Sequence, residues 1–123
     1  MDMRIELIFV PVSDVDRAKA FYVDQVGFVA DYDQTPYEGL RFVQLTPPGS
    51  ACSIAIGTGL NDMTPGEFHA IQMVVDDADA ALAGLRANGV DADGVDEQEW
   101  GRFVTFADPD GNRWTLQQLS SRS

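Results

Sequence analysis

Hydrophobic positions along this chain change their period twice, in the same order each time. From Arg4 to Val12 an apolar, β-branched run predicts a strand that closes at Pro11-Val12-Ser13-Asp14, where Ser13 or Asp14 can cap a helix. Val15, Ala18, Phe21 and Tyr22 then recur at helical spacing, and the helix is expected to run to about Val26 and stop at Gly27. Beyond it the pattern predicts a short strand over Phe28 to Asp33, a loop over Gln34 to Gly39 and a strand over Leu40 to Leu45. A turn over Thr46 to Gly49 and a strand over Ala51 to Ile56 follow. Gly57 to Gly66 has no periodicity and reads as a linker.

The same series then begins again. Phe68 to Val75 predicts a strand, Asp76-Asp77 a cap, and Ala78, Ala81, Leu82 and Leu85 fit the i, i+3, i+4, i+7 template of a helix that ends at Asn88-Gly89. Val90 to Val95 is a weak acidic strand and Asp96 to Trp100 a loop. Phe103 to Phe106, the tight turn Asp108-Pro109-Asp110-Gly111 and the strand Arg113 to Leu119 complete the half. At an offset of 63, Ile8, Val12, Asp14 and Asp16 meet Ile71, Val75, Asp77 and Asp79; at 62, Gly27, Pro47 and Gly49 meet Gly89, Pro109 and Gly111. The coincidences fall at caps and turns, where backbone geometry restricts the choice of residue. Both halves therefore read β-α-β-β-β, an internal duplication within one domain, residues 1–123. Module one spans about 4–57, the linker about 57–66 and module two about 67–119.

Composition narrows the function classes. The chain is 45% hydrophobic and carries a net charge of −12, with eight scattered Lys and Arg. Phosphate contacts need clustered basic residues, so nucleic acid is excluded as a partner, while the acidic surface would steer cationic ligands. No apolar run approaches membrane-spanning length, and the first residues lack a signal-peptide layout. A single cysteine, Cys52, fits a reducing compartment, so a cytoplasmic location is expected.

The cap Val12-Ser13-Asp14-Val15-Asp16-Arg17-Ala18 with Phe21-Tyr22 and Gly27-Phe28, its copy Val75-Asp76-Asp77, and the late Asp108-Pro109-Asp110-Gly111-Asn112 together resemble the vicinal oxygen chelate superfamily. Its members include glyoxalases, bleomycin-resistance proteins and extradiol dioxygenases. The resemblance implies an α+β fold in which two tandem βαβββ modules form a curled mixed sheet around a cup, with helices outside. It also implies a homodimer, sometimes with modules of two chains building each cup. Metal-dependent members carry His, Gln or Glu on the first and fourth strand of each module. The matching positions here are Leu7, Ser53, Ala70 and Thr115, and none is a usual ligand for a divalent metal. One fold hosts many chemistries, and the lost ligands favour a metal-free small-molecule-binding protein without cofactor over an enzyme.

Strand alternation extends the expected lining: if Leu7 and Ala70 face the cup, so do Phe9 and Gln72, while Ile8, Val10, Ile71 and Met73 pack under the helices. Trp100 and Phe103, and Tyr37 in the equivalent loop, are either stacking walls at the mouth or core. The expected ligand-binding set is Leu7, Phe9, Tyr37, Ser53, Gln72, Trp100, Phe103 and Thr115, suited to an aromatic or hydrophobic ligand. The alternative is a lyase, isomerase or dioxygenase with a displaced metal site at Glu6, Cys52 and His69, each one residue before an expected position, or catalysis without metal. Arg41 and Arg113 are either anchors for an anion or solvated strand-end charges.

Overall fold

In the computed structural model, which describes residues 1–67 and 71–120, the duplication is carried by two four-stranded mixed sheets and two helices. Module one contains β1 (Leu7–Phe9), α1 (Val15–Ala20), β2 (Val29–Tyr37), β3 (Leu40–Thr46) and β4 (Ser53–Thr58). Module two contains β5 (Ile71–Val74), α2 (Ala78–Ala87), β6 (Asp93–Gln98), β7 (Gly101–Ala107) and β8 (Arg113–Leu119). The sheet orders are β1-β4-β3-β2 and β5-β8-β7-β6, with the first strand parallel to the last in each and the other pairs antiparallel. The sheets do not close on each other. This is the α+β, two-module architecture that the repeat predicts. Among the described residues no helix is long and apolar enough to cross a membrane.

Each helix starts where the sequence places its cap. The side chain of Asp14 accepts from the Arg17 amide at 3.1 Å, and that of Asp77 from the Ala80 amide at 3.1 Å. The end of α1 is different from an ordinary helix: Phe21–Val26 is π-helical, and the amides of Gly27 and Phe28 both donate to the Tyr22 carbonyl, at 2.9 and 2.8 Å. The wider turn lets the consecutive residues Phe21 and Tyr22 both be buried. Gly27, at φ 98°, takes the left-handed conformation that ends the turn.

Several predicted boundaries move. The apolar run Arg4 to Val12 yields only three strand residues, because only Leu7–Phe9 find a partner on β4. Gln34 to Gly39, expected as a loop, is mostly strand: β2 continues to Tyr37, and only Glu38 and Gly39 turn. The ladder skips from Gln34 to Tyr37, so the missing N–H of Pro36 falls on an edge strand at a register shift and interrupts nothing. Asp96 to Trp100 is likewise mostly strand, β6 reaching Gln98 before a turn at Glu99 and Trp100. Tertiary pairing overrides weak local propensity in both hairpins.

Both sheets turn one face to a single core. Val10, Val43, Leu45, Ile54 and Ile56 of the first sheet and Val104, Phe106, Trp114 and Leu116 of the second join Phe21, Tyr22, Phe28, Leu82 and Leu85 in one cluster. Ile71 and Met73 pack against it, as alternation predicts, and Ile8 is half-buried. Burying an aliphatic or aromatic side chain contributes about 1.5–3 kcal/mol, so this cluster is the principal source of stability.

The turn Asp108–Asn112 locks the modules together. The Tyr22 hydroxyl donates to Asp108 Oδ2 at 2.7 Å and accepts from Trp114 Nε1 at 2.9 Å. Asn112 Nδ2 donates to the Pro11 carbonyl at 2.7 Å and to Asp108 Oδ2 at 2.8 Å, and its Oδ1 accepts from the Gly66 amide at 3.0 Å. Asp110 accepts from the Ser13 hydroxyl and amide. Burial, and then the adjacent Asp108 carboxylate, push the Tyr22 phenol far above its usual range, so it stays a neutral donor.

Candidate functional site

Alternate residues on the strands lie on the faces turned away from the core, and these faces carry the candidate site. On the first sheet Leu7 pairs with Ser53 and Phe9 with Ala55, and Ala55 in turn lies opposite Gln44. Leu7 is half-buried and Phe9 is 38% exposed. Ser53 is only 4% exposed and lies within a chain of hydrogen bonds. Thr46 Oγ1 is 2.6 Å from Ser53 Oγ and donates to Asp31 Oδ2, while Gln44 Nε2 donates to Ser53 Oγ at 3.3 Å.

On the second sheet a polar row crosses four strands: Gln72 pairs with Thr115, Thr115 with Thr105, and Thr105 with Asp93. In the next row Val74 pairs with Gln117, and Gln117 with Phe103. Gln72 Nε2 donates to Gln117 Oε1, and Gln117 Nε2 donates to the Trp100 carbonyl at 3.1 Å, which ties the β6–β7 turn to this face. A hollow of about 400 Å³ opens here, lined by Asp91, Asp93, Thr105, Arg113 and Thr115 among others.

The expected lining thus falls into two groups. Leu7, Phe9 and Ser53 share the first sheet; Gln72, Phe103, Thr115 and Trp100 share the second. Trp100 is 62% exposed in its turn, and Tyr37 is 66% exposed at the tip of the β2–β3 hairpin. Both are exposed hairpin-end aromatics and neither belongs to the core. Phe103 is half-buried. Asp31, Gln44, Thr46 and Asp93 were missed from the sequence, although Asp31 and Asp93 stand 62 residues apart, the offset of the repeat itself.

The residues do not fit the metal centre that the resemblance brings with it. Leu7 has no donor atom, Thr115 offers a neutral hydroxyl, and the Ser53 hydroxyl is taken up by Gln44 and Thr46. The Ala70 position and His69 lie outside the described residues. Glu6 is exposed, and Cys52 is half-buried with its thiol 3.6 Å from the Ser53 carbonyl. No group of three His, Cys, Asp or Glu that could hold a metal occurs among the described residues.

Nor is Arg41 an open anion anchor. It forms a bidentate pair with Asp33, through Nε at 3.0 Å and Nη2 at 2.9 Å, and reaches Asp16 through Nη1 at 2.8 Å. Hydrogen bonds from Arg41 and then Lys19 hold the Asp33 carboxyl well below the usual carboxylate range. Module two repeats the arrangement, Arg102 binding Asp79 at 2.7 Å and Glu97 at 3.0 Å. Each clamp fastens the first turn of a helix to the outer strands of its own sheet.

Comparison with known proteins now places the fold. The sequence model of the Glyoxalase/Bleomycin resistance protein/Dioxygenase superfamily matches residues 4–116. The chain belongs to this superfamily. Among solved members it is similar to TnmS3, an antibiotic binding protein from Streptomyces sp. CB03234, with 39% identity, a TM-score of 0.88, and coverage of 97% of this chain and 98% of that one. A glyoxalase/bleomycin resistance protein from the same organism is 40% identical, with a TM-score of 0.83 over 94% of this chain and 100% of that one. YetH of Bacillus subtilis is 30% identical over 96% of this chain and 100% of its own length. Superfamily membership accounts for the duplicated module and the polar turn, and leaves the chemistry to the faces described above.

Proposed function

We propose that this superfamily member is a metal-free binding protein that holds an aromatic or hydrophobic small molecule between its concave sheet faces. The observation that carries the reading is the chemistry of the four matching positions: two residues with no donor atom and two neutral hydroxyls, of which Ser53 is engaged inside the protein. The similarity to an antibiotic binding protein at 39% identity supports the same class of ligand. Apolar and aromatic groups available on these faces, Phe9, Val74 and Trp100, supply stacking and burial, and a few polar groups supply orientation.

Each chain carries its two concave faces on opposite sides of one shared core, so one chain alone provides two half-cups. In the proposed assembly a second copy brings its other module over each face, giving a homodimer with two composite cups. The exposed Phe9 and Val74, on the edge strands β1 and β5, become buried in that arrangement. Light scattering on the size-exclusion peak tests it: a dimer mass is expected, and Val74→Glu is expected to shift the peak to monomer. A monomeric wild type rejects the composite cup. For the ligand, thermal-shift and equilibrium-dialysis screens against planar aromatic natural products are expected to return saturable binders. Stoichiometric metal retained through purification without chelator, and lost on His69→Ala, would replace binding with metal-dependent catalysis.

A further inference from the structure

The two half-cups carry comparable polar rows, each headed by a carboxylate, and those carboxylates select the ligand. In module one the row runs Asp31, Thr46, Ser53, with Leu7 beside it; in module two it runs Asp93, Thr105, Thr115, with Gln72 beside it. Each row thus begins at a carboxylate on an outer strand and crosses two hydroxyls towards the inner edge of its sheet. The direction of the hydrogen bonds in module one is forced. An ionised carboxylate only accepts, so the Thr46 proton goes to Asp31. Ser53 must then give its own proton to Thr46 Oγ1, and Gln44 Nε2 donates to the Ser53 oxygen. Every hydroxyl proton of the row is spent on the protein.

What the module-one row offers to a visitor is lone pairs, while the hydroxyls of Thr105 and Thr115 in module two can accept as well as donate. Thr46 occupies one oxygen of Asp31, and a carboxylate accepts at both. In module two Asp93 stands at the wall of the 400 Å³ hollow with Thr105 and Thr115 beside it. One N–H of the Gln72 amide, a donor on this face, goes to Gln117 Oε1. The basic groups Arg41 and Arg102, which would attract an anion, are held by carboxylates of the helices and outer strands; among the described basic residues it is Arg113 that borders the hollow.

We infer that Asp31 and Asp93 are the specificity-determining residues of the cup, and that its ligand is a planar molecule presenting hydrogen-bond donors, a protonated amine or ring N–H, rather than an anionic carboxylate. The inference rests on the binding reading above and names the chemistry of its ligand.

Two probes of equal shape test it. 9-Aminoacridine is a cation with N–H donors, and acridine-9-carboxylate is an acceptor-only anion; each is titrated into the assembled wild-type protein by fluorescence at fixed salt. The cation is expected to bind at least about tenfold tighter, the size of one charge-assisted hydrogen bond. Asp31→Asn and Asp93→Asn are each expected to weaken the cation about five- to tenfold and to leave the anion unchanged or tighter. Asp24→Asn, on an exposed helical position away from both rows, makes the same change of net charge and separates a local contact from the general field. Thermal melts of the variants establish that each is folded, and the two lie on different sheets. Equal affinity for both probes, or a loss in Asp24→Asn matching that in Asp31→Asn and Asp93→Asn, overturns the inference and leaves the binding reading standing. Binding of neither probe overturns both.

Discussion

The two copies of the module share their caps, their Arg–Asp clamps and their hydroxyl rows, yet the turn before the last strand is used differently in each. In module two, Asp108 and Asn112 are buried and the turn is bonded to Tyr22, Pro11, Ser13 and Gly66, all of them outside that module's sheet. In module one, the counterpart Pro47–Ser50 is largely exposed, and the bonds of Ser50 to Cys52 and to the Pro47 carbonyl are local. It borders a crevice of about 330 Å³ with Met73, Val75, Ala81 and Leu85. Equal backbone turns therefore do unequal work, because one has become the joint between modules, where the buried polar atoms of Asp108 and Asn112 are satisfied by the protein.

The sharpest way to break this comparison is to remove the matched polar residues. Asn112→Ala should cost about 3 kcal/mol, since it strips partners from a buried carboxylate, a carbonyl and an amide. Ser50→Ala, at the offset of 62, should cost less than about 1 kcal/mol because water replaces its local bonds. Urea denaturation measures both, and equal losses would mean that the two turns carry the fold equally.

A smaller effect is expected one step inward. Tyr22→Phe removes the acceptor of Trp114 Nε1 and one donor to Asp108, at a cost of about 1–2 kcal/mol. Cys52, which stands where module two has Trp114, should tolerate Ala with less than about 1 kcal/mol lost, being half-buried at the sheet end.

The hairpin tips offer a comparison in binding. Trp100 is fastened through Gln117 to the face of the second sheet turned away from the core, whereas Tyr37 stands at the end of a long exposed strand. Trp100→Ala should weaken 9-aminoacridine about tenfold and Tyr37→Ala less than about threefold, in line with a hot spot that is held in place. The reverse order would move the stacking wall to module one.

The smallest effect separates the clamps. Asp33 has a folded-state pKa lowered by Arg41 and Lys19, so its contribution is present above the ordinary aspartate range near about pH 4 and is lost as acid protonates it in the folded state. Asp79 is lowered in the same direction by its hydrogen bonds from Arg102, but on an open surface. Asp33→Asn should flatten the fall in urea midpoint from about pH 4 down to about pH 2, and Asp79→Asn less so, because exposed pairs are screened.

Much of the fold was legible because duplication doubles a weak signal: Asp14 and Asp77, Gly27 and Gly89, Gly49 and Gly111 mark the same bends twice. Hairpin lengths were not, since Gln34 to Tyr37 and Asp96 to Gln98 are strand only through their neighbours. At the site, the missing metal ligands could be counted in the sequence, and so could Leu7, Phe9 and Gln72 by alternation. Asp31 could not, because it sits at a bulge between Ala30 and Tyr32, where alternation ceases to say which face a residue serves.

By itself the sequence determined what is local: the capped helices, the glycine turns, the repeat and the absence of donor atoms at Leu7 and Ala70, all consequences of backbone sterics and side-chain chemistry. Only the tertiary structure decided that both sheets share one core, that the Asp108 turn joins the modules, and that the Ser53 proton is already spent. Those depend on which groups meet across the chain, and a hydrogen bond or a buried face has no sign until its partner is in place.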